Sequence, residues 1–332
     1  MDPGHASIER FRNDLDPLVG RRERIGIAVS GGPDSLALLL LAAQARPGLV
    51  EAATVDHALR RESRDEAEFV ARICERLEVP HTILTALWGE QPESALQEQA
   101  RLMRYGLLGR WARERGFTAL ATAHHLDDQA ETLLMRLARG AGVRGLSGMR
   151  RVACVPGAEI ELVRPLLAWR RSELEAVCAA AGVEPVRDPS NEDERFERVR
   201  VRNALAQSGL LDPEAIATSA EHLRDADNAL DWAADVEWQR AVTAKDGEIA
   251  YRPADAPSEI RRRIVRRAIL ALASEGGEDL RGRETDRIIA ALDAGRRATL
   301  RGVLCSGGVE WRFTPAPARR VSASAEIGAV EG

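Results

Sequence analysis

The chain reads SGGPDS between the apolar runs IGIAV and LALLLLAAQ. Gly31 and Gly32 can take positive φ and carry no side chain, so consecutive backbone N–H groups can close on an anion there. A helix starting at this point aims its positive end at the same spot. Ser30 and Ser35 add hydroxyl donors, and Pro33 suits a first helical turn, where no intrahelical bond is lost. These are the parts of a phosphate cradle, and equally of a plain glycine turn with a Ser or Asp cap. Asp34 is the discordant residue. A carboxylate repels phosphates unless a divalent cation lies between, and Mg²⁺ is the usual one, held by one or two carboxylates with phosphate oxygens. A Walker-type loop is excluded, because it needs its own lysine and Lys245 is the only lysine in the chain. No GxGxxG dinucleotide fingerprint follows the same apolar run.

A second stretch, TAHHLDDQAET, supplies a matching carboxylate. His124 is placed to donate to a phosphate, Asp128 to complete a Mg²⁺ site opposite Asp34, and Glu131 lies i,i+3 from Asp128 on a helix. Simple helix capping explains these residues as well. Zinc is the rival metal, but HHxxD lacks the i,i+4 histidine pair of zinc proteases and no cysteine is near. Asp56 and His57, in VDHALR, leave the same choice between ligand contact and capping.

The elements that must position these residues alternate. Residues 25–29, 50–55, 81–84 and 118–123 read as short buried strands. Between them 35–45, 62–78 and 93–115 read as helices, and Leu126, Ala130, Leu133, Leu134 and Leu137 mark another after His125. Residues 160–163 add a strand and 170–181 a helix, while Ile8, Phe11, Leu15 and Leu18 mark a helix ahead of the sheet. Such alternation predicts an α/β fold, a parallel sheet covered on both faces. All three unusual loops then fall at carboxyl ends of strands, where open parallel sheets bind ligands. After about residue 208 the pattern turns helical: 213–242, 257–273 and 284–294 read as helices. ATLRGVLC, SGG and VEWRFTP read as a β-hairpin with glycines at its turn. The expected layout is a domain over 1–208, a smaller and mainly helical one over 209–320, and a loosely ordered tail over 321–332.

Composition narrows the class. The 332 residues are 45% hydrophobic and 30% charged, as in folded soluble proteins. No apolar stretch reaches the roughly 18 residues of a membrane span, and MDPGHASIERF lacks the layout of a signal peptide. Four scattered cysteines without a CxxC read as reduced thiols of a cytoplasmic protein. The net charge of −5 conceals an uneven distribution: residues 260–320 hold 14 arginines against 7 acidic residues. Either an anionic partner meets this end of the chain or an arginine-biased genome decorates solvent faces. Arg261, Arg262, Arg263, Arg266 and Arg267, on one predicted helix, are the candidate patch for nucleic-acid phosphates.

Taken together, IGIAVSGGPDS, VDHALR, EQARLMRY, TAHHLDDQAETLLMRLARG, GLSGM, VRPLL, RDPSN and VRN resemble, in this order, the PP-loop ATP pyrophosphatases, and within them the tRNA(Ile)-lysidine synthase family. SGGxDS alone marks only the superfamily; TAHHxDDxxET with RDPSN is far more specific. The resemblance implies an adenine nucleotide α-hydrolase-like, Rossmann-like PP-loop domain with an appended helical one. It implies an ATP- and Mg²⁺-dependent reaction on the wobble cytidine of a CAU-anticodon tRNA(Ile). ATP adenylates the C2 oxygen and pyrophosphate leaves; free L-lysine then attacks C2, and AMP leaves. By the same resemblance, Ser30 to Ser35 cradle pyrophosphate, Asp34 and Asp128 hold Mg²⁺, and His124 meets the α-phosphate. Glu98, Arg101, Arg104, Glu131, Asp188, Arg202 and Asn203 become candidates for contacts to lysine, base or tRNA backbone. Arg101 and Arg104, i,i+3 on one helix, form a possible phosphate clamp. HALR departs from the family where a glycine is common, and the chain is short for the second C-terminal domain of long members. The competing readings are a PP-loop tRNA thiolase, which wants paired cysteines, and a non-catalytic nucleotide sensor. No membrane partner is expected, and the sequence leaves the oligomeric state open, a homodimer included.

Overall fold

The computed structural model describes residues 1–57, 62–87, 96–186, 193–273, 280 and 282–317. The chain forms two compact units, Met1–Gly140 with Gly145–Leu223, and Ala141–Arg144 with the chain from Arg224 onward. In the first, α1 (His5–Leu15) precedes β1 (Ile25–Ala28), α2 (Pro33–Ala45), β2 (Val50–Asp56), α3 (Glu62–Arg76), β3 (His81–Thr85) and α4 (Leu96–Glu114). The chain continues through β4 (Ala119–Ala121), α5 (Leu126–Ala138), the single turn α6 (Val143–Leu146), β5 (Val152–Cys154) and β6 (Glu161–Val163). It then runs into α7 (Arg171–Ala180), α8 (Glu197–Ser208) and the start of α9 (Pro213–Ala241).

The six strands form one sheet in the order β3-β2-β1-β4-β6-β5, parallel except where β5 meets β6. The chain winds outward from β1 through β3 and then crosses to β4 on the other side of β1. That reversal is the switch point at which such sheets open a crevice for ligands. Strand alternation divides the core between two faces. Ile25 and Ile27 of β1 pack with α2 and α7 on one face. On the other lie Tyr105, Leu108, Trp111 and Ala112 of α4 with Phe117. Gly26 points to this second face, where an added Cβ would lie 2.8 Å from the Trp111 ring; only a glycine lets the indole lie so close to the strand.

Helix α2 is buried on every side, with all residues from Leu36 to Ala42 removed from water. Burying its five leucines, at roughly 1.5–3 kcal/mol each, fixes where the helix begins, and its N-terminus lies at the exit of β1. β5, three residues long and half exposed at the sheet edge, is absent from the sequence reading.

In the second unit the rest of α9 is followed by β7 (Val242–Lys245), β8 (Glu248–Tyr251), α10 (Ser258–Leu272), α11 (Gly282–Asp293), β9 (Arg297–Leu300), β10 (Val303–Ser306) and β11 (Trp311–Pro315). Helices dominate, but the expected single hairpin is part of a five-stranded antiparallel sheet, β7-β8-β11-β10-β9. ATLRGVLC is itself two strands: Arg301 and Gly302 both take positive φ, 50° and 72°, in a two-residue turn. Asp246 and Gly247 do the same between β7 and β8. Ile264, Ile269, Ile288, Leu292, Trp311 and Phe313 fill the core between this sheet and its helices. No helix among the described residues is long and apolar enough to cross a membrane.

Candidate active site

The SGGPDS loop joins β1 to α2 at the switch point. Gly31 takes φ +88°, a conformation that strains any L side chain. Gly32, the N-cap of α2, has φ −75°, and an added Cβ would meet nothing nearer than Ser30 Oγ at 3.9 Å. The protein itself therefore has no need of a glycine at 32; a group lying against that backbone would. Ser35 Oγ donates to the Gly32 carbonyl at 3.0 Å and accepts the Ser30 N–H at 3.1 Å, closing the loop on itself. The first N–H groups of α2, with no carbonyl a turn behind them, are left for a ligand.

Facing this loop, β4 ends in Thr122–His125 and α5 begins. Asp128 Oδ2 accepts the His125 N–H at 3.2 Å, so the second carboxylate is held by its own helix cap. His125, 1% exposed, sits among three carboxylates: Nε2 is 3.5 Å from Asp34 and 3.6 Å from Asp128, and Nδ1 is 3.5 Å from Asp127. Burial opposes its protonation, but the neighbouring carboxylates of Asp127, Asp34 and Asp128 outweigh it and raise the ring to about 10. His125 Nε2 thus faces both carboxylates the sequence assigned to a metal. His124 behaves oppositely. Burial, aided by the charges of Arg164, Arg101 and Arg104, lowers it to about 4 against the pull of Asp128. Its Nδ1 is 2.9 Å from Thr122 Oγ1, so the ring is a neutral, oriented hydrogen-bonding group.

Both loops border one cavity of about 590 Å³, within the size range of small-molecule sites. Ser30, Gly32, Asp34 and Ser35 form one side, and His124 and Asp128 another. Thr54, Val55 and His57 at the end of β2 form the floor with Ser63 and Glu66 of α3. Arg101 and Arg104 of α4 close the wall, each stacked on the Tyr105 ring, at 5.0 and 5.3 Å. Burial holds the Arg104 guanidinium below its ordinary value, the expected cost of aiming a cation into a partly dry cavity.

Several sequence candidates stand elsewhere. Asp56 is buried beneath the floor and accepts the Ser63 hydroxyl at 2.7 Å, so it supports the site without lining it. Pro33 borders a separate hollow. Glu131 is 1% exposed and accepts Arg202 Nε at 2.7 Å, so both are engaged with each other beside a neighbouring hollow, not in the cavity. Asn203 donates to Glu194 at 3.0 Å, also away from the cavity. Asp188 and the side chain of Glu98 lie outside the described residues.

Most arginines of the candidate α10 patch are paired with acidic residues of their own unit. Arg263 is buried and pairs with Asp227 at 2.6 Å, Asp231 at 2.5 Å and Glu259 at 3.0 Å, which makes it a structural cation. Arg261 pairs with Asp293, Arg262 with Asp286 and Glu259, and Arg267 with Asp235. Burial pushes Arg266 down to about 10. Acidic residues of α9 and α11 take up charge that the one-dimensional pattern left open.

Arg198 is one of the cavity residues the sequence reading missed. It lines the space and reaches Asp128 Oδ1 at 3.7 Å and Glu131 Oε2 at 3.6 Å. Its signal was its position one turn before Arg202 on the same face of α8. Gln129 was also overlooked: its amide donates to the Met149 carbonyl at 2.9 Å and accepts the Met149 N–H at 2.6 Å, stapling GLSGM to α5.

With this geometry in place, the likenesses to known proteins can be read. Residues 5–208 match the PP-loop domain family. Over 322 residues the chain is 48% identical to a tRNA(Ile)-lysidine synthase of Novosphingobium aromaticivorans, covering 95% of each chain. It is 43% identical over 307 residues to a protein of the same name from Zymomonas mobilis subsp. mobilis, covering 92% of this chain and 91% of that one. Among solved structures, a U34-tRNA thiolase of Methanococcus maripaludis superposes with a TM-score of 0.55 over 66% of this chain and 80% of its own. At 17% identity that is a likeness of fold alone.

Proposed function

This chain belongs to the tRNA(Ile)-lysidine synthase family of PP-loop proteins, and on that premise we propose that it uses ATP to join free lysine to the wobble cytidine of a CAU-anticodon tRNA(Ile). The observation that carries the reading is the meeting, across one cavity at the sheet's switch point, of a glycine cradle and two carboxylates, with arginines on the remaining wall.

A pyrimidine C2 carbonyl is a poor electrophile because its oxygen leaves badly. The cytidine C2 oxygen attacks the α-phosphorus of ATP, the bond to the bridging oxygen breaks, and pyrophosphate departs. The lysine amine then adds to C2 and loses a proton, and the oxygen leaves with AMP. Negative charge gathers on the pyrophosphate in the first step, so the residues must stabilise charge more than make covalent bonds. Gly31, Gly32 and the α2 N-terminus receive the pyrophosphate with the Ser30 and Ser35 hydroxyls. Neutral His124 donates to an α-phosphate oxygen. Arg101, Arg104 and Arg198 add positive charge along the wall.

The donor set fits Mg²⁺. Asp34 Oδ1 is buried with no hydrogen-bond partner among the described residues, and the Asp34 and Asp128 carboxylates lie 3.5 and 3.6 Å from the same His125 Nε2. Two carboxylates with phosphate oxygens are the usual Mg²⁺ set, and the ion, when bound, would neutralise charge on the leaving pyrophosphate. Tracts of tRNA backbone fall to arginines whose charge is not already used. In the second unit Arg283 and Arg287, one turn apart on α11, and Arg296 and Arg297 beside β9 are exposed and make no ion pair among the described residues. The test is pyrophosphate release by purified protein with ATP, Mg²⁺ and lysine. The reading requires release only when the CAU tRNA is present; release that ignores the tRNA contradicts it.

A further inference from the structure

The glycine loop is flexible by composition, yet it must hold one shape before an anion arrives. Its first tie comes from the segment after α7: the Val186 N–H donates to the Gly31 carbonyl at 3.1 Å. In a trans peptide the C=O and the next N–H point in opposite directions. Fixing the Gly31 carbonyl therefore fixes the Gly32 N–H on the other side of that plane, and Gly32 borders the cavity. A second tie comes from α7 itself. The Cys178 thiol, 145 residues away in sequence, donates to the Pro33 carbonyl at 3.3 Å. That oxygen is in the first turn of α2, and a carbonyl has a second lone pair to spare for such a contact.

Pro33 and Cys178 border a separate hollow of about 440 Å³, and neither lines the nucleotide cavity. The thiol therefore acts from behind the loop and touches no substrate. Cys178 is fully packed in the cluster that holds α2 against α7, with Leu174, Val177 and Ala181 beside it. An apolar residue there would serve the packing but would lack the bond to Pro33.

We propose that Cys178 is a positioning residue for nucleotide binding, its thiol and the Val186 N–H together forming a buttress that pre-sets the Gly31–Pro33 backbone to receive phosphate. The inference rests on the reading of the loop as the ATP cradle. Pre-organisation contributes to affinity by removing an ordering cost that binding would otherwise carry. Losing one weak tie of this kind should weaken ATP binding about two- to tenfold.

The experiment uses the full chain and the variants Cys178→Ala, Cys178→Val and Cys178→Ser. The dissociation constant for ATP is measured by equilibrium binding, and KM for ATP and for lysine by pyrophosphate release and lysine transfer, with thermal midpoints alongside. Ala and Val both remove the donor, the first with a smaller side chain and the second with a larger one, so a shared effect is not one of volume; Ser keeps a donor. The proposal expects Ala and Val to raise Kd and KM for ATP two- to tenfold with KM for lysine unchanged, and Ser to return within about twofold of wild type. Unchanged ATP affinity in Ala and Val overturns it, as does a Ser variant no better than Ala or a parallel rise in KM for lysine. Wild-type protein that fails to bind ATP would overturn the functional reading and this inference with it. Wild-type binding matched by every variant would overturn the inference alone.

Discussion

Asp34 occupies the first turn of α2, where the helix dipole favours a negative charge and the same dipole favours a phosphate. The buried His125 ring lies 3.5 Å from the carboxylate, on the side facing Asp128 as well. Asp34 Oδ1 has no hydrogen-bond partner among the described residues. Asp34→Asn keeps the shape and removes the charge. Pyrophosphate release should fall at least about 10²-fold, the scale of losing one electrostatic stabiliser of a transition state, while tRNA affinity holds. Both are read from single-turnover assays and filter binding. Turnover within a few-fold of wild type would remove Asp34 from the metal role. At this scale much of the site was legible: the loop, His124 and Asp128 declare themselves by type and spacing. Glu131 and Arg202 looked equally functional, yet they satisfy each other at 2.7 Å. Only a fold decides which carboxylate in DDQAE points into a cavity and which into a partner.

Secondary-structure elements set where the site residues stand. The loop has a fixed address because α2 is buried all round and β1 runs between two parallel neighbours. Gly26 tests that account, since any Cβ there meets the Trp111 ring at 2.8 Å. Gly26→Val should cost about 1–3 kcal/mol by overpacking, seen as a lower thermal midpoint; an unchanged midpoint would mean that α4 shifts freely on the sheet. The parallel core was readable because its strands are continuous apolar runs between helical patterns. The second unit's sheet was not. Its strands are four or five residues long, and KDGE was passed over although Asp-Gly is the strongest short hairpin signal. RG at 301–302 was read through as strand because arginine seldom takes the positive φ it has here.

At the scale of the whole molecule, charge and thiol chemistry separate what is used from what is merely present. The α10 arginines spend their charge on α9 and α11, so tRNA affinity should depend more on Arg283 and Arg287. Converting both to Glu should weaken tRNA binding and reduce the log–log salt slope by roughly 2. Converting Arg262 and Arg267 should change that slope less, and the reverse ranking would return the patch to α10. Of the four cysteines, Cys154 is exposed and the others are buried. Burial pushes Cys74, Cys178 and Cys305 up to about 12, with Asp34 and Glu175 adding to the rise at Cys178. A thiol reagent at neutral pH should modify one cysteine in the folded chain and four after denaturation. The folded state holds those protons more tightly than the unfolded chain. Their contribution to stability is therefore complete below about pH 9 and lost as pH rises toward 12. Denaturant midpoints under reducing conditions should fall across that window, and a flat profile would contradict the burial of these thiols.

The central claim is that the cavity activates a cytidine and hands it to lysine. The direct measurement is mass spectrometry of nucleosides from CAU-anticodon tRNA(Ile) after incubation with the protein, ATP, Mg²⁺ and isotopically labelled lysine. The wobble cytidine should gain the labelled lysine in a new C2–N bond, with one AMP and one pyrophosphate released per modification. A wobble cytidine left unchanged, under conditions where ATP and the tRNA both bind, would contradict it.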